Sequence, residues 1–230
     1  LLYHQGHGNQ LPAALEQLEM AMAADSMAPE KSRHLQGEIG VLRSLLSITQ
    51  ADIEQTITQA QFSLQNTPPV LWIVRSLARV TLAGAYQARG ELARAYETVY
   101  VGIDDEAGQD NALKATTFLT ACNLHWIAAD MSGLFAAAST CVECCDQPHE
   151  GQIERHARQH LGSVHYLQDD LGAAKAQFQE VVRQPYRNYG DAFANSAFGL
   201  SLIHQAQKSP EKGSQVAKLA VAYTLETGNM

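Results

Sequence analysis

Three cysteines crowd into Cys141-x-x-Cys144-Cys145, followed by His149 and then by His156 and His160 four residues apart. Thiolates and imidazoles are the ligands zinc prefers, and histidines at that spacing share one face of a helix, so a metal site is the sharpest chemistry on offer. Against it, Cys141 and Cys145 fall in line with Leu134 and Ala138 at helical intervals, where a small apolar thiol is ordinary packing. A single C-x-x-C without a second pair is a weak zinc signature, so the expectation is no metal and no cofactor. A cysteine nucleophile paired with His125 would need an electropositive, partly open setting, which an acidic chain disfavours. The acidic runs Asp104-Asp105-Glu106 and Asp169-Asp170 lack the D-x-D-x-D-G loop of a calcium site and read as solvated turn residues. With no catalytic motif present, the expected protein is not an enzyme.

The elements that would hold these residues follow from composition and period. The chain has 230 residues, 46% of them hydrophobic and 17% charged, and its formal net charge is −8. That composition suits a folded protein with a sizeable core and opposes binding to a phosphate backbone, so direct nucleic-acid contact is not expected. No apolar run approaches the ~20 residues that cross a bilayer. The opening Leu1 to Gln10 lacks the layout of a signal peptide, which predicts a cytoplasmic chain with reduced thiols and no membrane partner. The start at Leu1 and the close on Gly228-Asn229-Met230 suggest a piece of a larger multidomain protein, with residues 1–230 as one domain.

A repeat governs the rest. The stretch from Leu82 to Ala95 has an equal-length counterpart from Leu161 to Ala174. Sliding that template places the apolar residue that opens each second helix at Leu11, Ile53, Leu92, Leu134 and Leu171, with a weaker site near Glu211, at intervals of 42, 39, 42, 37 and 40 residues. Pro29, Pro68, Gly108, Pro148 and Pro185 run in step as breakers between units. The two combs predict helix pairs at 29–49 and 51–65, 70–89 and 91–104, 110–129 and 132–146, 149–168 and 171–184, and 188–207 and 211–227, after a shorter pair ending near Met27. Within a pair the apolar residues occupy two stripes, as in Val70, Ile73, Val74, Leu77 and Val80 beside Leu71, Ala78, Leu82 and Tyr86, so each helix must be covered on both flanks. The fold class that satisfies this is an all-α, right-handed α-solenoid of about six helix pairs. Gly84 and Gly162, with Ala95 and Ala174, would let paired backbones approach closely. Alternating strand patterns are absent.

The run Leu161-Gly162-x-x-His165-x-x-x-Asp169-Asp170-Leu171-x-x-Ala174-x-x-x-Phe178 resembles the tetratricopeptide (TPR) consensus, with Tyr86 keeping the usual tyrosine in the earlier unit. The period near 40 departs from the standard of about 34, and HEAT or armadillo repeats are the alternative. The tight Gly90-Glu91-Leu92 and Asp169-Asp170-Leu171 turns favour TPR. Long units of this kind, and phrases such as Leu35-Gln36-Gly37-Glu38-Ile39 and Arg75-Ser76-Leu77-Ala78, are similar to the superhelical sensor region of the MalT-like, ATP-dependent LuxR-type transcription regulators. That resemblance implies a regulatory role beside an ATPase module and a helix-turn-helix domain; no G-x-x-x-x-G-K-[ST] loop and no basic recognition helix occur in this chain.

A TPR array works through its concave wall, which the template lines with Leu77, Val80, Gly84 and Gln87; Phe118, Cys122, His125 and Trp126; His156, Gln159, Ser163 and Tyr166; and Phe193, Ser196 and Leu200. From these, Gln87, His125, Trp126, His156, Gln159, Tyr166 and Phe193 are the expected binding residues for a protein or small-molecule effector or for neighbouring domains, since aromatic faces beside amides and imidazoles suit a polar ligand. A two- to four-residue error in register would instead make Phe118, Trp126 and Phe193 core. A free-standing TPR adaptor that clamps a peptide is the alternative function.

Overall fold

The computed structural model describes residues 11–24, 28–105, 111–145, 151–183 and 192–227. Of these, 88% are helical, in eleven helices and no strand. They are α1 (Leu11–Ala24), α2 (Pro29–Thr49), α3 (Ile53–Asn66), α4 (Trp72–Ala88), α5 (Leu92–Asp105), α6 (Asn111–Ile127), α7 (Met131–Cys144), α8 (Gly151–Leu167), α9 (Leu171–Val182), α10 (Ala192–Ala206) and α11 (Pro210–Thr227). The five full pairs expected from Pro29 onward are present to within a few residues, and of the shorter pair expected to end near Met27 the described residues include the single helix α1. Gly108, Pro148, Pro185, Met27, Glu106 and His149 lie outside the described residues.

The helices group into two compact units, Leu1–Gln109 and Asp110–Met230. In the first, α2 packs on α3 and α4, and α4 on α5; in the second, α6, α8 and α10 pack on one another as well as on their own partners α7, α9 and α11. First helices therefore form one wall within each unit. Hydroxyls help to join the wall of the first unit, where Ser44 and Thr81, both buried, lie with oxygens 3.0 Å apart.

The turn inside each pair repeats with little variation. Ala51, Gly90, Ala129, Asp169 and Lys208 all have positive φ, between 55° and 86°. The amide of each bonds the carbonyl three residues back, and the next amide bonds the carbonyl five back: Asp52 to Ser47, Glu91 to Tyr86, Asp130 to His125, Asp170 to His165 and Ser209 to His204, all at 2.8–2.9 Å. This is the Schellman closure, which satisfies carbonyls that the helix end would leave bare. The residue that completes it then starts the second helix. The carboxylates of Asp52, Asp130 and Asp170 accept the amides of Gln55, Gly133 and Ala173 at 2.9–3.1 Å.

These turns correct the sequence register at one pair. The second helices open at Ile53, Leu92, Met131, Leu171 and Pro210, at intervals of 39, 39, 40 and 39 residues. Leu134, expected as an opening residue, lies one turn inside α7, because Asp130 rather than Gly133 is the cap. The small-residue roles also divide differently. A Cβ on Gly84 would meet only the tip of Ile48 at 3.3 Å, whereas one on Gly162 would stand 2.6 Å from the Phe178 ring and one on Gly199 2.5 Å from its other edge. Phe178 is thus wedged between α8 and α10. With Ala174, Leu200 and Ile203 it forms a buried cluster covered by Tyr166, Leu171, Val182 and Val216. Ala95 and Ala174 are fully buried at equivalent positions of α5 and α9.

Candidate functional site

The cysteine cluster is an interior feature of α6 and α7. Cys122 and Cys141 are fully buried, and the Cys141 thiol donates to the carbonyl of Ala115 at 3.2 Å while Cys145 donates to the carbonyl of Cys141 at 3.2 Å. Burial pushes the Cys122 thiol up to about 12, and Cys141 is raised by its hydrogen-bonded neighbour Cys145 and by burial. Thiols held protonated in this way are poor nucleophiles and poor metal ligands. Among the described residues no group of three or more His, Cys, Asp or Glu is arranged to hold a metal ion, and His149 lies outside them.

His125 faces its own turn. Its Nδ1 lies 2.8 Å from the Asp130 carboxylate, which also caps α7 through Gly133, and the backbone amide of Gly133 with the His125 contact holds Asp130 below the usual carboxylate range. A Cβ at Gly133 would collide with both side chains, so a glycine is needed there. His125 is buried. The pair closes the α6–α7 turn and presents little imidazole surface.

Counting back from the positive-φ residue aligns the first helices and shows which face each presents. The column that holds His156, Gln159, Ser163 and Tyr166 on α8 continues within the second unit as Thr116, Leu119, Asn123 and Trp126 on α6 and as Asn195, Phe198, Leu202 and Gln205 on α10; the equivalent repeat positions of α4, in the first unit, are Leu77, Val80, Gly84 and Gln87. Phe118, Cys122 and His125 on α6, and Phe193, Ser196 and Leu200 on α10, fall beside this column. Phe193 is the clearest correction: it is fully buried, its ring 4.4 Å from that of Tyr223, because it faces the second helix of its own pair. Asn195 occupies the wall position that Phe193 was expected to fill, and Phe198, 64% exposed, occupies the one expected for Ser196. The signal that could have found it is the turn dipeptide before each second helix, Ala51-Asp52, Gly90-Glu91, Ala129-Asp130, Asp169-Asp170 and Lys208-Ser209, which sets the rotation of the helix preceding it.

On the wall of the second unit the indole of Trp126 is 43% exposed and sits 6.0 Å from the His160 ring, tilted by 52°. His160 Nε2 lies 3.3 Å from Asn123 Oδ1, which ties α8 to α6. Gln159 is buried and donates to Ser163 Oγ at 3.2 Å, while His156 Nδ1 donates to the Gln152 carbonyl at 3.0 Å. Tyr166 is half-buried and packs against the Phe178 cluster. Gln87 is half-buried on α4 of the first unit. The structure therefore brings Trp126, His156, Gln159 and Tyr166 onto one wall, where Trp126 and Phe198 offer aromatic surface and Asn123 and Asn195 are exposed amides.

No family model and no curated protein matches the sequence. The fold is similar to the crystal structure of BtubC (BKLC) from P. vanneervenii, with a TM-score of 0.70 at 11% identity over 98% of this chain and 92% of that one. Two crystal structures of MamA match with TM-scores of 0.55, one at 11% identity over 84% of this chain and 94% of its own, the other at 12% over 81% and 97%. Among the described residues no helix is long and apolar enough to cross a membrane. The repeated hairpins and these likenesses together make the fold a TPR-like helical repeat.

Proposed function

We propose that the chain is a non-catalytic interaction region whose binding surface is the first-helix wall of the second unit. The observation that carries this reading is the exposed pair Trp126 and Phe198 on a wall that also presents Asn123, Asn195 and His156. Large apolar side chains left in water on one wall cost solvation free energy unless a partner covers them, and exposed amides on the same wall give that partner direction. Its ligand is a protein segment or a small polar effector, and its setting is the cytoplasm. The role we favour is the regulatory region of a larger signalling ATPase or LuxR-type regulator, on the strength of the sequence resemblance. A free-standing adaptor that clamps a partner peptide is the second reading. Gene sequence on either side separates the two: an upstream phosphate-binding loop with a downstream helix-turn-helix supports the regulator.

A thermal-shift screen of sugars, nucleotides and short peptides tests the binding surface directly. A ligand of the folded state raises stability by RT ln(1 + [L]/Kd), about 2.7 kcal/mol at a hundredfold excess over Kd. Trp126→Ala and Phe198→Ser are expected to abolish the shift from any hit with little change in the unliganded melting temperature. Tyr166→Ala is expected to lower melting by itself, because its ring covers the Phe178 cluster. A hit that persists undiminished in both wall variants would place the functional surface elsewhere.

A further inference from the structure

A cleft of about 390 Å³ opens between the second helices α9 and α11, with α10 beneath it. Its lining is Gln179, Val182 and Arg183 from α9, Leu200 and His204 from α10, and Val216 from α11. Val182, Leu200 and Val216 make an apolar floor that continues into the Phe178 cluster. The rim is cationic. Lys175 reaches Gln207 Oε1, just past the end of α10, 3.5 Å away, Lys212 follows Glu211 in the first turn of α11, and Arg183 caps α9, where it pairs with Glu180 at 3.1 Å. Lys175 stands one helical turn before Gln179 on α9 and Lys212 one turn before Val216 on α11, so each shares a helix face with a residue that lines the cleft.

We infer that this cleft is a second docking site, one that takes an acidic peptide segment by seating an apolar side chain on Val182, Leu200 and Val216 and setting flanking carboxylates against Lys175, Lys212 and Arg183. The volume accommodates one large side chain and its neighbours and is small for a whole folded surface. In a chain of net charge −8, a cationic rim around an apolar floor selects a partner of opposite sign at that spot. The site lies on the side of the second helices, apart from the first-helix wall, so it stands whether or not that wall binds a ligand.

The test is fluorescence anisotropy on the whole chain with a labelled pool of hexapeptides that carry two central apolar residues between paired aspartates. Control pools replace the aspartates by asparagine or the apolar residues by glycine. The acidic apolar pool is expected to bind saturably, with both controls at least tenfold weaker. Lys175→Glu/Lys212→Glu should weaken it at least tenfold while circular dichroism and melting stay near the parent, and the milder Lys175→Gln/Lys212→Gln should give an intermediate loss that shrinks in high salt. Equal binding of the asparagine pool, equal binding to the charge-reversed variant, or no saturable binding up to about 1 mM peptide would overturn the proposal. Displacement by octanoate at lower concentration than by unlabelled peptide would overturn the peptide assignment, since the cleft would then serve a free small carboxylate.

Discussion

His204 shows how one side chain reports its surroundings. It completes the α10 turn by accepting the Ser209 amide on its carbonyl, and its ring is buried at the edge of the α9–α11 cleft. Burial first, then Lys175 and Lys212, disfavour its protonated form in the folded state. A histidine whose folded-state value lies below the unfolded value of about 6.5 leaves stability intact above that pH. As the pH falls below it, the unfolded chain takes up a proton that the folded chain resists, and stability is lost until the folded value is passed. The urea midpoint of the parent is therefore expected to fall more between pH 7.5 and pH 5.5 than that of His204→Gln. Identical falls would show that the ring titrates freely.

At the scale of the element, the hairpin turn is the unit that recurs. It requires a left-handed residue, and only Gly90 among the five is a glycine; Ala51, Ala129, Asp169 and Lys208 adopt the same conformation with a Cβ. An L-residue there costs about 1–2 kcal/mol, partly offset by the lower entropy of its unfolded chain relative to glycine. Nothing approaches within 4 Å of a Cβ built on Gly90, so the cost is one of backbone conformation and not of crowding. Ala51→Gly and Ala129→Gly are each expected to stabilise the protein by roughly 0.5–1 kcal/mol, and Gly90→Ala to destabilise it by a similar amount, read from denaturant midpoints. Opposite signs at Ala51 and Ala129 would mean that these turns are not left-handed in solution.

At the scale of the molecule, stability within each unit comes from successive hairpins packing on one another. Phe178 is the clearest wedge, because it rises from α9 and fills the space left by Gly162 on α8 and Gly199 on α10, joining two repeats. Gly162→Ala drives a methyl into that ring and is expected to cost about 1–3 kcal/mol. Since repeat arrays are coupled through nearest neighbours, amide hydrogen exchange should quicken across α8, α9 and α10 while α2 to α4 keep their protection. Uniform acceleration over the entire chain would show that it unfolds as a single cooperative body.

Much of this architecture was legible in the residue string because helix limits are local. Pro29 at a helix start, an aspartate before Ile53 or Leu171, and apolar stripes three and four residues apart act over a few residues, and each pair was placed from them. The small residues at Ala95 and Ala174 were legible for the same reason, since equivalent positions repeat. The face that each helix turns to water was not. Rotation advances by about 100° per residue, so a two-residue error of alignment carries Phe193 from the wall to the interior and hides Phe198, which is exposed. The same sensitivity made Leu134 the expected opening residue, three positions late, and assigned Cys122 and His125 to the wall column that they lie beside. The cleft between α9 and α11 was invisible altogether, because its floor and its rim are drawn from three helices whose side chains meet only when Phe178 locks their packing.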